Sequence, residues 1–233
     1  MADDDDGVLI VEDHLLLAQA LRAALADVGT AAEVVTPSDV GLEGVVARAR
    51  PGILVLLDLR LGGELDGSEL VAPLRARGAQ VLVVTGGADV LSMGRALDAG
   101  AIDVLDKRRP FGDLVGAIAA VRAGRYVPDD ARRRAILASA RQRAEAAHEA
   151  DEVLGRLTPR ESEVLDHLVQ GRSAEQVAAA DHVSVATVRA QIRSVLAKLG
   201  VRSQLAAVAR VQALRRRSAP GRGRPQPPPT GRE

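Results

Sequence analysis

Residues 8–14 read VLIVEDH. Four apolar residues of high strand propensity, Val8 to Val11, run straight into two adjacent carboxylates, Glu12 and Asp13, and then His14. Neighbouring like charges repel, and Gly or Asn would end a strand without that repulsion. The pair makes sense if a cation is to sit at the strand end.

Further runs of the same kind recur at intervals. ILVLL at 53–57 and VLVV at 81–84 do not alternate with polar residues, as expected of strands covered on both faces of a parallel sheet. Strands are expected at 8–11, 33–35, 53–57, 80–84 and 102–105, with amphipathic helices at 15–26, 38–49, 68–77, 90–99 and 111–123. Five strands alternating with helices imply a doubly wound α/β domain with a five-stranded parallel sheet. Ligands of such sheets bind beyond the carboxyl ends of the strands.

That edge collects the candidate site. Strand one ends in Glu12 and Asp13, strand three in Asp58, strand four in Thr85 followed by Gly86 and Gly87, and strand five near Lys107. Taken singly, Asp58 reads as a helix cap or turn residue. With the other four at the same edge, the set fits one task. Three carboxylates suit Mg²⁺, which prefers oxygen ligands. A carboxylate can act as nucleophile and form an aspartyl-phosphate, with a metal offsetting the charge repulsion. Lys107 supplies a positive charge and Thr85 a hydroxyl for the phosphoryl oxygens, while the two glycines leave room. His14 is expected in the first turn of the next helix without a chemical role, and His148, His167 and His182 share no metal-ligand spacing.

The totals exclude much else. At 233 residues the chain suits two domains. It has no cysteine, which rules out disulfides and thiolate metal sites, and only Phe111 and Tyr126 are aromatic, so Ala, Val, Leu and Ile must build the core. No apolar run approaches the roughly 18–20 residues of a membrane span, and MADDDD is acidic where a secretory leader would be basic. A cytoplasmic location is expected, with no membrane partner. No nucleotide-binding glycine fingerprint or nucleophile elbow is visible, so the chain is not expected to be an enzyme.

The zero net charge conceals a split. Residues 1–130 hold 12 Lys+Arg against 21 Asp+Glu, whereas residues 156–217 hold 11 against 5. An acidic front and a basic back imply two jobs, the second on a polyanion. Gly124 ends the last helix of the first domain, Pro128 interrupts the chain, and 126–154 is expected to be a helical linker washed by solvent. Residues 1–6 form an acidic leader, and 216–233, rich in Pro, Gly and Arg, are expected to be disordered.

Within the basic part the helix punctuation is dense. Thr158 with Glu161, and Ser173 with Gln176, have the spacing of capping boxes, and Pro159 occupies a first helical position. Gly171 and Gly200 close helices, and Ser184 and Ser203 can open two more. In the third helix Val188, Ile192, Val195, Leu196 and Leu199 form one apolar stripe. Arg189 and Arg193 lie together beside it, with Ala186, Ala190 and Ala197 keeping the outer surface low. Such a face fits a DNA major groove, and equally an ordinary exposed helix with surface arginines.

Two resemblances bear on these readings. LIVEDH, LLDLRL, VVTGG and VLDK resemble, in order and spacing, the CheY-like receiver domain of bacterial response regulators, over 7–125. The resemblance implies Asp58 as phospho-acceptor, Glu12, Asp13 and the backbone carbonyl of Arg60 as metal contacts with Asp58, and Thr85 and Lys107 as switch residues. Three positions depart from the family pattern. RLGGELDG at 60–67 lacks the usual Met-Pro and is one residue longer; Val104 stands where an aromatic is usual; Arg108 follows Lys107.

LTPRESEVL, GRSAEQVAA, SVATVRAQI and LAKLGVRSQ resemble the LuxR-type helix-turn-helix domain, over 156–211 within a domain at 155–215. That resemblance places Arg189, Ala190 and Arg193 at bases and Thr187, Gln191 and Lys198 near phosphates. It also makes the helix around 205–211 a dimer contact. Together they imply a NarL-type two-component response regulator, phosphorylated by a histidine kinase with Mg²⁺ and binding double-stranded DNA as a homodimer. The alternative is a transcription factor whose receiver is never phosphorylated and serves dimerisation or ligand sensing.

Overall fold

A computed structural model describes residues 7–62 and 65–218. The chain forms two compact units that divide between residues 141 and 142. The expected leader at 1–6 and the tail from 219 onward lie outside the described residues.

The first unit is the expected doubly wound sheet. Strands β1 (Val8–Val11), β2 (Ala32–Val35), β3 (Leu54–Leu57), β4 (Gln80–Thr85) and β5 (Val104–Asp106) lie in the order β2-β1-β3-β4-β5, all parallel. Helices α1 (Leu15–Asp27), α2 (Pro37–Ala47), α3 (Ser68–Ala76), α4 (Val90–Asp98) and α5 (Phe111–Arg122) connect and follow them. Alternate residues of each strand serve opposite faces. Leu9, Val11, Val55, Leu57, Val81 and Val83 pack with α2, α3 and α4. Ile10, Leu54, Leu56, Leu82, Val84 and Leu105 pack with α1 and α5. This two-sided burial is why the strands read as unbroken apolar runs. Each such side chain is stabilised by about 1.5–3 kcal/mol on leaving water.

The strand boundaries differ from expectation by one or two residues, most at β5, which starts at Val104 rather than 102. Helix α2 is interrupted at Gly41, whose φ of 71° only glycine adopts without strain. Val104, in the position usual for an aromatic, is buried.

Helix α6 (Asp130–Gly155) contributes to both units. The expected linker is helical but not washed by solvent throughout. Ala140 is buried, and Ile136 and Leu137 pack on the first unit's core, while Ala146, Ala150 and Val153 are buried toward the other end. Its charged residues cover the remaining surface, which is why the sequence reads as polar.

The second unit holds α7 (Pro159–Val169), α8 (Ala174–Ala180), α9 (Val185–Lys198) and α10 (Gln204–Ser218). Both capping boxes are present, at Thr158–Glu161 and Ser173–Gln176, and the Ser184 side chain caps α9. The α9 stripe is buried as expected, apart from Leu196, which is half-buried. Helix α10 extends to Ser218, three residues into the stretch expected to be disordered. Among the described residues no helix is long and apolar enough to cross a membrane.

Candidate functional site

The sheet register assembles the first site. Val11 pairs with Leu57 across β1 and β3, so the next residues, Glu12 and Asp58, emerge side by side at the carboxyl edge. Thr85 pairs with Asp106, which brings Lys107 to the same edge. This edge, where the chain order reverses between β1 and β3, is the ligand-binding position of an open parallel sheet.

Lys107 Nζ lies 2.5 Å from Glu12 Oε2 and 2.6 Å from Asp58 Oδ2. Both carboxylates are buried, and Asp58 Oδ1 also accepts from the Arg60 amide at 3.1 Å. Asp13 is exposed at the mouth. Glu12, Asp13, His14 and Asp58 each offer a ligand atom, all within 4.8 Å of one another. Three of the four donors are carboxylates, a set that fits a hard divalent cation such as Mg²⁺. Thr85 Oγ1 is buried without a hydrogen-bond partner among the described residues. Gly86 sits over the Lys107 stem, where its Cβ would meet Lys107 Cδ at 3.5 Å.

Three features here are not apparent from motif reading. His14 precedes α1 with its Nδ1 at 2.8 Å from Asp13 Oδ1 and 3.1 Å from Glu12 Oε1, so it touches the acid pair instead of standing apart. Gly67 lies against the backbone of Asp58 and Leu59, just after β3. A Cβ there would lie 2.2 Å from the Asp58 carbonyl oxygen. Asp66 is held by several partners although no proline stands between it and Asp58. Asp66 forms a bridge with Arg60, and its carboxylate accepts from the Ser68 amide at 2.9 Å, from Ser92 Oγ at 2.8 Å and from Arg95. Burial pushes the Asp66 pKa up, but these hydrogen bonds outweigh it and hold the carboxyl below its ordinary range.

In the second unit α9 presents Thr187, Arg189, Ala190 and Arg193 to solvent, opposite its buried stripe. Arg189 Nη2 pairs with Glu175 Oε1 of α8 at 2.9 Å. Gln191 differs from the others of its expected group, since its Oε1 is buried without a partner among the described residues. Lys198, expected near phosphates, places its Nζ 2.6 Å from Glu161 Oε2. Ser194 donates to the other Glu161 oxygen at 2.6 Å, and the Thr158 amide donates at 2.7 Å. These donors, Lys198 foremost, pull the Glu161 pKa down to about 2. Ser194 and Lys198 share one face of α9, but nothing in their spacing points to Glu161, 37 positions before Lys198. In α10 Val211 is buried, so it cannot serve a dimer contact, whereas Leu205 is 80% exposed.

Comparison with known proteins matches both parts of the chain to families. Residues 8–119 match the response regulator receiver domain, and residues 155–211 match the bacterial regulatory proteins of the luxR family. A nitrate/nitrite response regulator protein homolog of Haemophilus influenzae is 32% identical over 86% of this chain and 93% of its own length. The chain belongs to the LuxR-type response regulators. The nitrate/nitrite response regulator NarP of Escherichia coli is 34% identical over 86% of the regulator and 91% of its own length. The virulence-factor transcription regulator BvgA of Bordetella pertussis is 32% identical over 84% and 91%. The regulator is thus a two-component response regulator that controls transcription.

Proposed function

We infer that Asp58 accepts the phosphoryl group, within a receiver spanning 7–125 joined through 126–154 to a DNA-binding domain at 155–215. The observation that carries this reading is the meeting of Glu12, Asp58 and Lys107 at one sheet edge, with Asp13 at its mouth. A carboxylate oxygen of Asp58 attacks the phosphorus of a kinase phosphohistidine. The phosphorus–nitrogen bond breaks with its electron pair returning to the imidazole, and an acyl phosphate forms. Glu12, Asp13, Asp58 and the Arg60 carbonyl would hold Mg²⁺, which supplies charge neutralisation for the transfer. Lys107 exchanges its contact with the Asp58 carboxylate for one with a phosphoryl oxygen. Thr85, whose hydroxyl is buried and unsatisfied, donates to another.

The output is read through α9. Arg189 and Arg193 pair with base edges beside Ala190, and Thr187 contacts phosphate. Gln191 and Lys198 support this surface from within the fold, and a homodimer forms through the Leu205 side of α10. Cytoplasmic placement follows from the two partners, a histidine kinase and double-stranded DNA.

Incubation with acetyl phosphate tests the acceptor. An acid-labile adduct with the mass of one phosphoryl group is expected, dependent on Mg²⁺ and absent in Asp58→Asn. An adduct that persists in Asp58→Asn would move the acceptor elsewhere.

A further inference from the structure

Helix α4 is gripped on two sides. On one, Ser92 and Arg95 hold Asp66, the residue that closes the loop after Asp58, and Arg95 Nε also donates to Ser68 Oγ at 3.3 Å. On the other, α4 meets the first half of α6. Arg133 Nη1 donates to the carbonyls of Ala101 and Ile102 at 3.1 Å each, and Nη2 donates to that of Leu97 at 3.2 Å. A helix end leaves its last carbonyls without intrahelical partners, and a cation is favoured there by the helix dipole. Ile136 and Leu137 pack on the core cluster that includes Ala96 and Leu97 of α4. Between the two helices Gly94 faces Ala140 so closely that a Cβ on Gly94 would lie 2.4 Å from the Ala140 Cβ. Glycine is a poor helix former, and this close approach accounts for its place inside a nine-residue helix.

We propose that residues 133–140 are a strap latched onto α4 and released when Asp58 carries a phosphoryl group. The strap rests on the reading of Asp58 as acceptor. Helix α4 begins after Thr85-Gly86-Gly87-Ala88, capped by Asp89, whose side chain accepts from Leu91 and Ser92 amides. A phosphoryl group that draws in the Thr85 hydroxyl therefore pulls on the start of α4, while the Asp66 clamp couples the same helix to the acceptor loop. The strap fits one position of α4 only. Ala140 touches Gly94 with no intervening atom, and Arg133 has one acceptor in the last turn of α4, Leu97, and two in the connection that follows it, Ala101 and Ile102. Packed contacts of this kind switch between discrete arrangements and do not stretch. Further along the same helix, Ala150 and Val153 are buried in the second unit's core, so α6 is an element both units share.

The cysteine-free sequence makes a direct test available. In the full chain, Leu137→Cys reports strap docking and the exposed Ala138→Cys serves as reference, both read by the rate of maleimide labelling. On loading with acetyl phosphate and Mg²⁺, labelling at 137 is expected to rise about ten-fold, with little change at 138. An unchanged rate at 137 in protein whose intact mass shows the adduct overturns the strap. Absence of the adduct mass overturns the acceptor reading instead. Two variants decide the docking contact without phosphorylation. Gly94→Ala, which forces a Cβ against Ala140, and Arg133→Ala, which removes the three carbonyl contacts, should each speed labelling at 137 in the unloaded chain. No acceleration in either variant overturns the latch.

Discussion

Lys107 bridges two buried carboxylates: its Nζ lies 2.6 Å from Asp58 Oδ2, while the same ammonium contacts Glu12. One cation thus neutralises two buried carboxylates that approach each other from different strands. Removing it takes away the one ammonium that both buried carboxylates share, which costs about 3–5 kcal/mol by analogy with other broken buried pairs. Lys107→Met should therefore lower stability to urea, and added MgCl₂ should recover more of it in this variant than in the parent. Equal Mg²⁺ dependence in the two proteins would separate Lys107 from the proposed metal site at Glu12, Asp13 and Asp58.

Gly67 packs tightly on the Asp58 backbone. Its backbone φ is −57°, which any residue accepts, so the demand for glycine is steric. A methyl group 2.2 Å from the Asp58 carbonyl oxygen must push the strand end aside. Gly67→Ala should cost about 1–3 kcal/mol, the usual range for overpacking, and slow adduct formation at Asp58. Rates equal to the parent would show that the loop yields without moving the carboxylate.

Glu161 gives a pH signature. Its ordinary pKa of 4.5 falls to about 2 in the folded protein, chiefly through Lys198. A depressed carboxylate adds stability above its unfolded pKa, and that stability is lost as pH falls from about 4.5 toward about 2. Glu161→Gln should be less stable than the parent at neutral pH, and the gap between their melting temperatures should close over that acid window. A gap that stays constant down to pH about 2 would contradict the Lys198 pairing.

The outward face of α9 should carry DNA affinity. Arg189→Ala and Arg193→Ala are each expected to weaken specific binding by about 1–3 kcal/mol if they read bases, as measured by titration of a labelled operator. Arg189 must first leave Glu175, so Glu175→Gln should bind somewhat more tightly than the parent. Unchanged affinity in both arginine variants would take recognition away from this face.

Much of this was legible in the chain. The five strands, the Glu12-Asp13 pair, Asp58, Thr85 and Lys107, the two capping boxes and the α9 stripe follow from periodicity and spacing. These are local signals, written within a few residues of one another. The strand ends were less well marked, because hydrogen bonding to a neighbour decides where pairing stops. The Asp66 clamp, the Lys198–Glu161 pair and the Gly94–Ala140 contact join residues 26 to 46 positions apart, and nothing in the local pattern of either partner announces the other.

The sequence by itself determined that this protein has a parallel α/β unit with an acidic strand edge and a basic helical unit with an arginine-bearing helix. Those properties depend on which residues are apolar, charged or able to cap, and on their period. Only the tertiary structure decided that Lys107 bridges Glu12 and Asp58, that Lys198 turns inward to Glu161 and that α6 lies against α4. Long charged side chains have several partners within reach. Which one they take is fixed by the register of strands and the approach of helices, and these are set by burial of the whole core at once.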